Sequence, residues 1–159
     1  GPKPRWVKSG TKKHYGFLVE DIETQITRCK IAPGQLAVLF STNKEAEAFH
    51  YLDKPFKTAV RESKKAFNLS EPAVHLLTAH SAKGLEFPHV YIPHANRLAT
   101  LPADKRNRFE MSEQKDSQLK LFYVAATRAS ESLTILEESG GDPGHLALLD
   151  PEDWIRLDD

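Results

Sequence analysis

Two kinds of apolar pattern alternate along this chain. Leu18, Ile22, Ile26 and Cys29 recur at helical spacing and predict an amphipathic helix over Tyr15–Cys29, which Pro33-Gly34 terminates. Leu36-Ala37-Val38-Leu39-Phe40 then forms an unbroken apolar run of strand length, the pattern of a strand covered on both faces. Thr42 and Glu45 stand in capping-box register and open a helix reaching to about Leu52. Val74–Ala79 and Phe87–Pro93 are further buried-strand runs, the second bracketed by Pro88 and Pro93. Leu119, Phe122, Tyr123 and Ala126 fall at i, i+3, i+4 and i+7 and predict a helix over about Ser112–Arg128. Ser132–Leu136 supplies a fourth strand, and Gly140-Gly141 breaks the chain before a partly helical tail. Residues 53–72 show no clear period, and Asn96–Met111 reads as a polar surface connection. Strands alternating with helices predict an α/β, three-layer domain with a mostly parallel sheet.

Composition narrows this little. A chain of 159 residues with 40% hydrophobic content suits one domain with its own core. Its one cysteine, Cys29, permits no internal disulfide, reads as a packing residue, and fits a reducing, cytoplasmic location. No run approaches the roughly 18 apolar residues a membrane helix needs, so no membrane partner is expected. Gly1-Pro2 reads as the scar of an expression tag, so residues 1–4 are taken as scar and linker and residues 5–138 as the domain. Residues 139–159 are an acidic tail. From Glu137 onward, eight Asp/Glu face one Lys/Arg, although the whole chain is neutral. The excess of positive charge therefore lies before the tail, a weak footprint for a nucleic-acid phosphate backbone.

Two segments carry candidate chemistry. Thr78-Ala79-His80-Ser81-Ala82-Lys83-Gly84-Leu85-Glu86-Phe87 follows a predicted strand. The segment His80–Glu86 is therefore expected at the carboxyl edge of the sheet, where open α/β folds bind ligands. Its small residues let backbone N–H groups approach an anion, Lys83 supplies positive charge, and Glu86 suits a sugar hydroxyl. A tight strand–turn–strand with exposed polar residues has the same spacing. In Leu121-Phe122-Tyr123-Val124-Ala125-Ala126-Thr127-Arg128-Ala129, Arg128 ends a mostly apolar stripe. It either caps helix carbonyls or reaches a partner with a fork that suits phosphate. Leu133–Glu138 ends on two acids, like a Mg²⁺-binding strand end. His75 and His80, like His89 and His94, are five apart, a poor ligand spacing, and no metal site is expected. Ser81 lacks the glycines of a nucleophile elbow.

These two segments, with Leu36-Ala37-Val38-Leu39-Phe40-Ser41-Thr42-Asn43, give the chain a family resemblance. It resembles the second, C-terminal RecA-like motor domain of superfamily 1 DNA helicases of the UvrD/Rep/PcrA type. Thr78–Phe87 is similar to their motif V, Phe122–Ala129 to motif VI, and Leu36–Asn43 to motif IVa, in the family's order. The resemblance covers about Arg5 to Glu137 and implies a RecA-like fold. It implies that Arg128 is an arginine finger on the γ-phosphate of ATP, that Glu86 contacts the ribose, and that Gly84 lines the nucleotide edge. It implies that Asn43, Thr78 and His80 lie along single-stranded DNA. It also implies that Leu133–Glu138 is a structural strand. The implied cofactor is ATP with Mg²⁺, the metal being held by the N-terminal RecA-like motor domain of the same protein.

The chain also departs from the family. Ser41 stands where arginine is usual, Glu47 stands near another such position, and the domain commonly inserted between motifs IVa and V has no counterpart in Lys44–Ala73. No glycine precedes a lysine, so the phosphate loop G-x-x-x-x-G-K-[ST] is absent. The expected function is one half of an ATP-dependent DNA helicase or translocase, inactive alone. The alternative is a non-catalytic, helicase-derived module that binds a partner protein or nucleic acid.

Overall fold

The apolar runs become neighbouring strands of one sheet. The computed structural model describes residues 2–10, 13–61, 68–98, 119–141 and 143–158. Among them are strands β1 (Arg5–Ser9), β2 (Leu36–Phe40), β3 (Thr58–Val60), β4 (Val74–Thr78), β5 (Phe87–Ile92), β6 (Ala129–Glu138) and β7 (Ile155–Asp158). Their spatial order is β3-β4-β2-β5-β6-β1-β7, and every pairing is parallel. The helices are α1 (His14–Thr27), α2 (Asn43–His50), α3 (Ala95–Leu98) and α4, which is helical over residues 119–126.

The sheet is covered on both faces, as the continuous apolar runs require. On one face Leu18 and Ile22 of α1 and Ala46 and Phe49 of α2 pack on Leu36, Val38, Phe40 and Leu76. On the other, Leu98 of α3 and Phe122 and Ala125 of α4 pack with Ala37, Leu39, Leu77, Val90 and Ile135. Successive residues of β2 thus enter opposite cores, so no position along it is left for a polar side chain. The N-terminus of α2 is capped as its sequence predicts: Thr42 Oγ1 accepts from Glu45 N at 3.2 Å. The return arm of the box is displaced by one residue, with Glu45 Oε2 accepting from Ser41 N at 3.3 Å.

Three expectations change. Cys29, just past the end of α1, is exposed and does not pack. The connection Asn96–Met111 does not begin as a surface loop, because α3 buries Ala95, Asn96 and Leu98. Asn96 is tolerated there because its Oδ1 accepts from Glu138 N at 3.4 Å, beside the end of β6. The remainder of that connection, and residues 112–118 of the predicted helix, lie outside the described residues. The stretch after Gly141 is more than a partly helical tail, since Ile155–Asp158 adds strand β7 beside β1. Trp154 stands edge-on to Trp6 at 6.0 Å, and the Arg156 guanidinium lies 3.8 Å from the Trp6 ring centroid. That stacking anchors a strand whose four residues are exposed and whose charges suit a sheet edge.

A polar brace ties two strands of the sheet to the helix packed on it. Arg5 on β1 holds Asp21 on α1 in a bidentate pair at 2.9 and 2.5 Å, and Tyr91 on β5 donates to the same carboxylate at 2.6 Å. Burial alone would push the Asp21 carboxyl up, but the bonds from Arg5 and Tyr91 outweigh it and hold the group below its ordinary range. The hydrogen bond to Asp21 raises Arg5, and burial raises Tyr91 well above the usual phenol range. Among the described residues no helix is long and apolar enough to cross a membrane.

Candidate functional site

Because all strands run parallel, their carboxyl ends share one edge of the sheet and their amino ends the other. At the carboxyl edge β4 ends on Thr78, level with Phe40 at the end of β2. Ala79 N donates to Phe40 O at 2.9 Å, extending that pairing by one residue. The buried Thr78 hydroxyl donates to Ser81 Oγ at 2.9 Å and accepts from Ser81 N at 3.1 Å, so it closes a turn and does not face solvent. His80, in that turn, is exposed, and so is Asn43, the first residue of α2. Asn43, Thr78 and His80 thus meet at the ends of two adjacent strands. The chain leaves β2 over one face and β4 over the other, which opens a crevice between them, the topological switch point where such sheets bind ligands.

The rest of the first segment leaves that edge. Ala79 and Ala82 are buried against the face carrying Ala37 and Leu39, and their small side chains let residues 79–86 lie close across the sheet. Gly84 turns the chain at φ +82°, a left-handed conformation that favours glycine. The crossover then delivers Glu86, exposed, to the foot of β5, where Phe87 pairs with Ala129. The expected placement of His80–Glu86 at the carboxyl edge is therefore right for its first residues and wrong for its last. The physical reason is topological: β5 runs parallel to its neighbours, so the chain must return to the amino edge before β5 can start.

Arg128 lies at this same amino edge. Its carbonyl accepts from Phe87 N at 2.8 Å. Its Nε donates to Val124 O at 2.9 Å, Nη1 to Leu85 O at 3.2 Å, and Nη2 to Thr127 Oγ1 at 3.1 Å. Gly84, Glu86 and Arg128 are thereby brought together, and Asn43, Thr78 and His80 form a separate group across the sheet. Capping and reaching outward are not exclusive for Arg128. The Nε bond caps the last turn of α4, while three of the five guanidinium N–H donors are engaged and two remain for an anion. Arg128 is half-buried, and Lys83 beside the Gly84 turn is exposed.

One polar cluster was not foreseen. At the carboxyl ends of β1, β5 and β6, the His14 and His94 rings stack at 4.2 Å and 15°. His94 N donates to His14 Nε2 at 3.0 Å, and His94 Nδ1 lies 2.5 Å from Glu138 Oε1. His94 holds φ +51°, an unusual value for a buried ring. These residues fill the second crevice, between β6 and β1. No sequence spacing links His14 to His94, which meet only through the tertiary fold. The acids at the end of β6 are both engaged internally, Glu137 by Trp6 Nε1 at 2.9 Å and Glu138 by His94, in keeping with a structural strand.

The chain is similar in sequence and in fold to known proteins. Residues 56–139, more than half of the chain, match the UvrD-like helicase C-terminal domain. A probable DNA helicase of Mycoplasma pneumoniae is 35% identical over 107 residues, covering 66% of this chain and 18% of that protein. DNA helicase II of Escherichia coli K12 is 34% identical over 100 residues, covering 60% of this chain and 13% of that protein. The chain thus spans less than a fifth of the length of these relatives. The crystal structure of the C-terminal domain of a possible DNA helicase from Lactobacillus plantarum WCFS1 superposes with a TM-score of 0.73 at 19% identity, covering 98% of this chain and 86% of that one. At that identity it speaks to the fold alone.

Proposed function

The chain belongs to the family of UvrD-like helicase C-terminal domains, and from that premise we propose that it is the C-terminal motor half of an ATP-dependent DNA helicase or translocase. In this reading the amino edge serves the nucleotide and the carboxyl edge serves single-stranded DNA. The observation that carries it is the junction of the two segments at the amino edge: Phe87 N on Arg128 O, and Arg128 Nη1 on Leu85 O. That junction sets a cation with two unspent donors beside the exposed carboxylate of Glu86. Those residue types fit a triphosphate and a ribose hydroxyl.

ATP supplies the transferable phosphoryl group, and Mg²⁺ is assigned to the N-terminal motor domain of the same protein. Arg128 stabilises the charge that develops on the phosphoryl oxygens, Glu86 orients the sugar, and Gly84 keeps the backbone close to the nucleotide. At the other edge Asn43 and His80 contact the DNA strand. Thr78 acts through the turn it closes with Ser81. Residues 79–86 run from one edge to the other, held on the sheet by buried Ala79 and Ala82, and so join the two sites covalently. The 159 residues alone lack the phosphate loop and are expected neither to hydrolyse ATP nor to unwind DNA, which an ATPase assay of the purified domain checks.

The deciding experiment separates the edges in the complete protein. Arg128→Ala removes turnover and leaves the affinity for a single-stranded oligonucleotide unchanged. Asn43→Ala combined with His80→Ala weakens that affinity, and saturating DNA restores its turnover. Parallel loss of both properties in both variants contradicts the assignment.

A further inference from the structure

We propose that Thr127 is a positioning residue that pre-sets the Arg128 guanidinium for an anion, an inference that rests on the arginine-finger reading above. The Thr127 hydroxyl donates back into its own helix, to Tyr123 O at 2.8 Å and Val124 O at 3.1 Å. A hydroxyl carries one hydrogen, so this bond fixes the rotor and leaves its lone pairs as the acceptor for Arg128 Nη2 at 3.1 Å. Val124 O takes Nε, and Leu85 O takes Nη1. Three acceptors from three different residues thus hold one planar group, and only one of them is a side chain.

The consequence is catalytic economy of motion. A long arginine on an exposed helix end samples many rotamers, and ordering it during the reaction would subtract from the charge stabilisation it provides. Donors already oriented in the ground state need no such reorganisation. Thr127 never meets the phosphate in this scheme. It acts through Arg128, so its removal lowers the rate of the chemical step without changing how much ATP binds.

The test compares Thr127→Val, Thr127→Ser and Arg128→Ala in the complete protein, assayed with ATP and single-stranded DNA below the lowest unfolding midpoint of the set. Valine keeps the branched shape and deletes the acceptor, whereas serine keeps the acceptor. The expected result is a fall of about tenfold in kcat for Thr127→Val, the order of one lost hydrogen bond in the transition state. KM for ATP stays at the wild-type value and Thr127→Ser restores most of kcat. Wild-type kcat in Thr127→Val, an equal loss in Thr127→Ser, or a change confined to KM overturns the positioning role. If Arg128→Ala itself keeps wild-type turnover, the finger reading fails. If Arg128→Ala collapses turnover and Thr127→Val does not, this inference alone fails.

Discussion

Arg128 Nη1 donates to the backbone carbonyl of Leu85 at 3.2 Å, across 43 residues of sequence. The bond fastens the end of helix α4 to the crossover that arrives from the opposite edge of the sheet. Its geometry depends on a planar fork, because Nε and Nη2 are engaged at the same time by Val124 O and Thr127 Oγ1. Arg128→Lys keeps the charge and loses the fork. It is expected to lower DNA-stimulated turnover by about a hundredfold, short of the ~10³–10⁵ that losing the whole finger costs, while ATP binding persists. Steady-state kinetics with a nucleotide-binding control checks this.

Gly84 and Gly34 predict two different costs for the same substitution. A Cβ at Gly84 meets nothing within 4 Å, so Gly84→Ala is penalised only by its backbone at φ +82°. That strain is about 1–2 kcal/mol, or roughly 2–8 °C in Tm for a domain of this size. A Cβ at Gly34 would lie 2.4 Å from Leu69 O and 2.7 Å from Glu71 O, both backbone atoms. Gly34→Ala must move one loop away from another and is expected to cost more, about 3 kcal/mol. Thermal unfolding of the two variants gives the order, and a larger loss at Gly84 would contradict it.

The sheet's centre was legible because its chemistry is local to the sequence. β2, β4 and β5 are unbroken apolar or near-apolar runs, β6 carries a shorter one over Leu133–Leu136, and a stretch buried on both faces can be little else. The strands missed, β1, β3 and β7, owe their place to distant partners. β1 lies between β6 and β7, and β7 is exposed along its length and anchored by Trp154 and Arg156 on Trp6. In the candidate site the residue types were legible but their grouping was not. Glu86 reads as part of a loop after β4, yet it stands at the foot of β5, because parallel topology sends the crossover back across the sheet. The acceptors that fix Arg128 are two backbone carbonyls and a hydroxyl one residue away, and a carbonyl leaves no trace in a side-chain pattern.

The Arg5–Asp21–Tyr91 brace predicts an acid-sensitive component of stability. Asp21 is held below its ordinary carboxylate range in the fold, so its contribution is complete above the unfolded value near 4 and is lost as pH falls through the folded value. Urea midpoints should therefore decline below about pH 4 more steeply in wild type than in Asp21→Asn. At neutral pH Asp21→Asn leaves Arg5 without its counter-charge and is expected to cost about 3 kcal/mol. Parallel pH profiles for the two proteins would show that the brace carries no such linkage.

The cap of α2 offers a smaller, local test beside Asn43. Thr42 Oγ1 accepts the Glu45 amide at 3.2 Å, and Thr42→Ala removes that acceptor. The expected loss is about 1 kcal/mol, seen as a shift in the denaturation midpoint with an unchanged slope. Thr42→Ser should recover most of it.

In the proposed motor, this domain contributes the cation that completes an ATP site on a partner motor domain. The most direct measurement is single-strand-stimulated ATP turnover by the complete protein carrying Arg128→Ala, with ATP affinity measured on the same sample. The expected result is a loss of about 10³-fold or more in turnover with ATP still bound. Turnover within about twofold of wild type, a difference below 0.5 kcal/mol in the barrier, would contradict it.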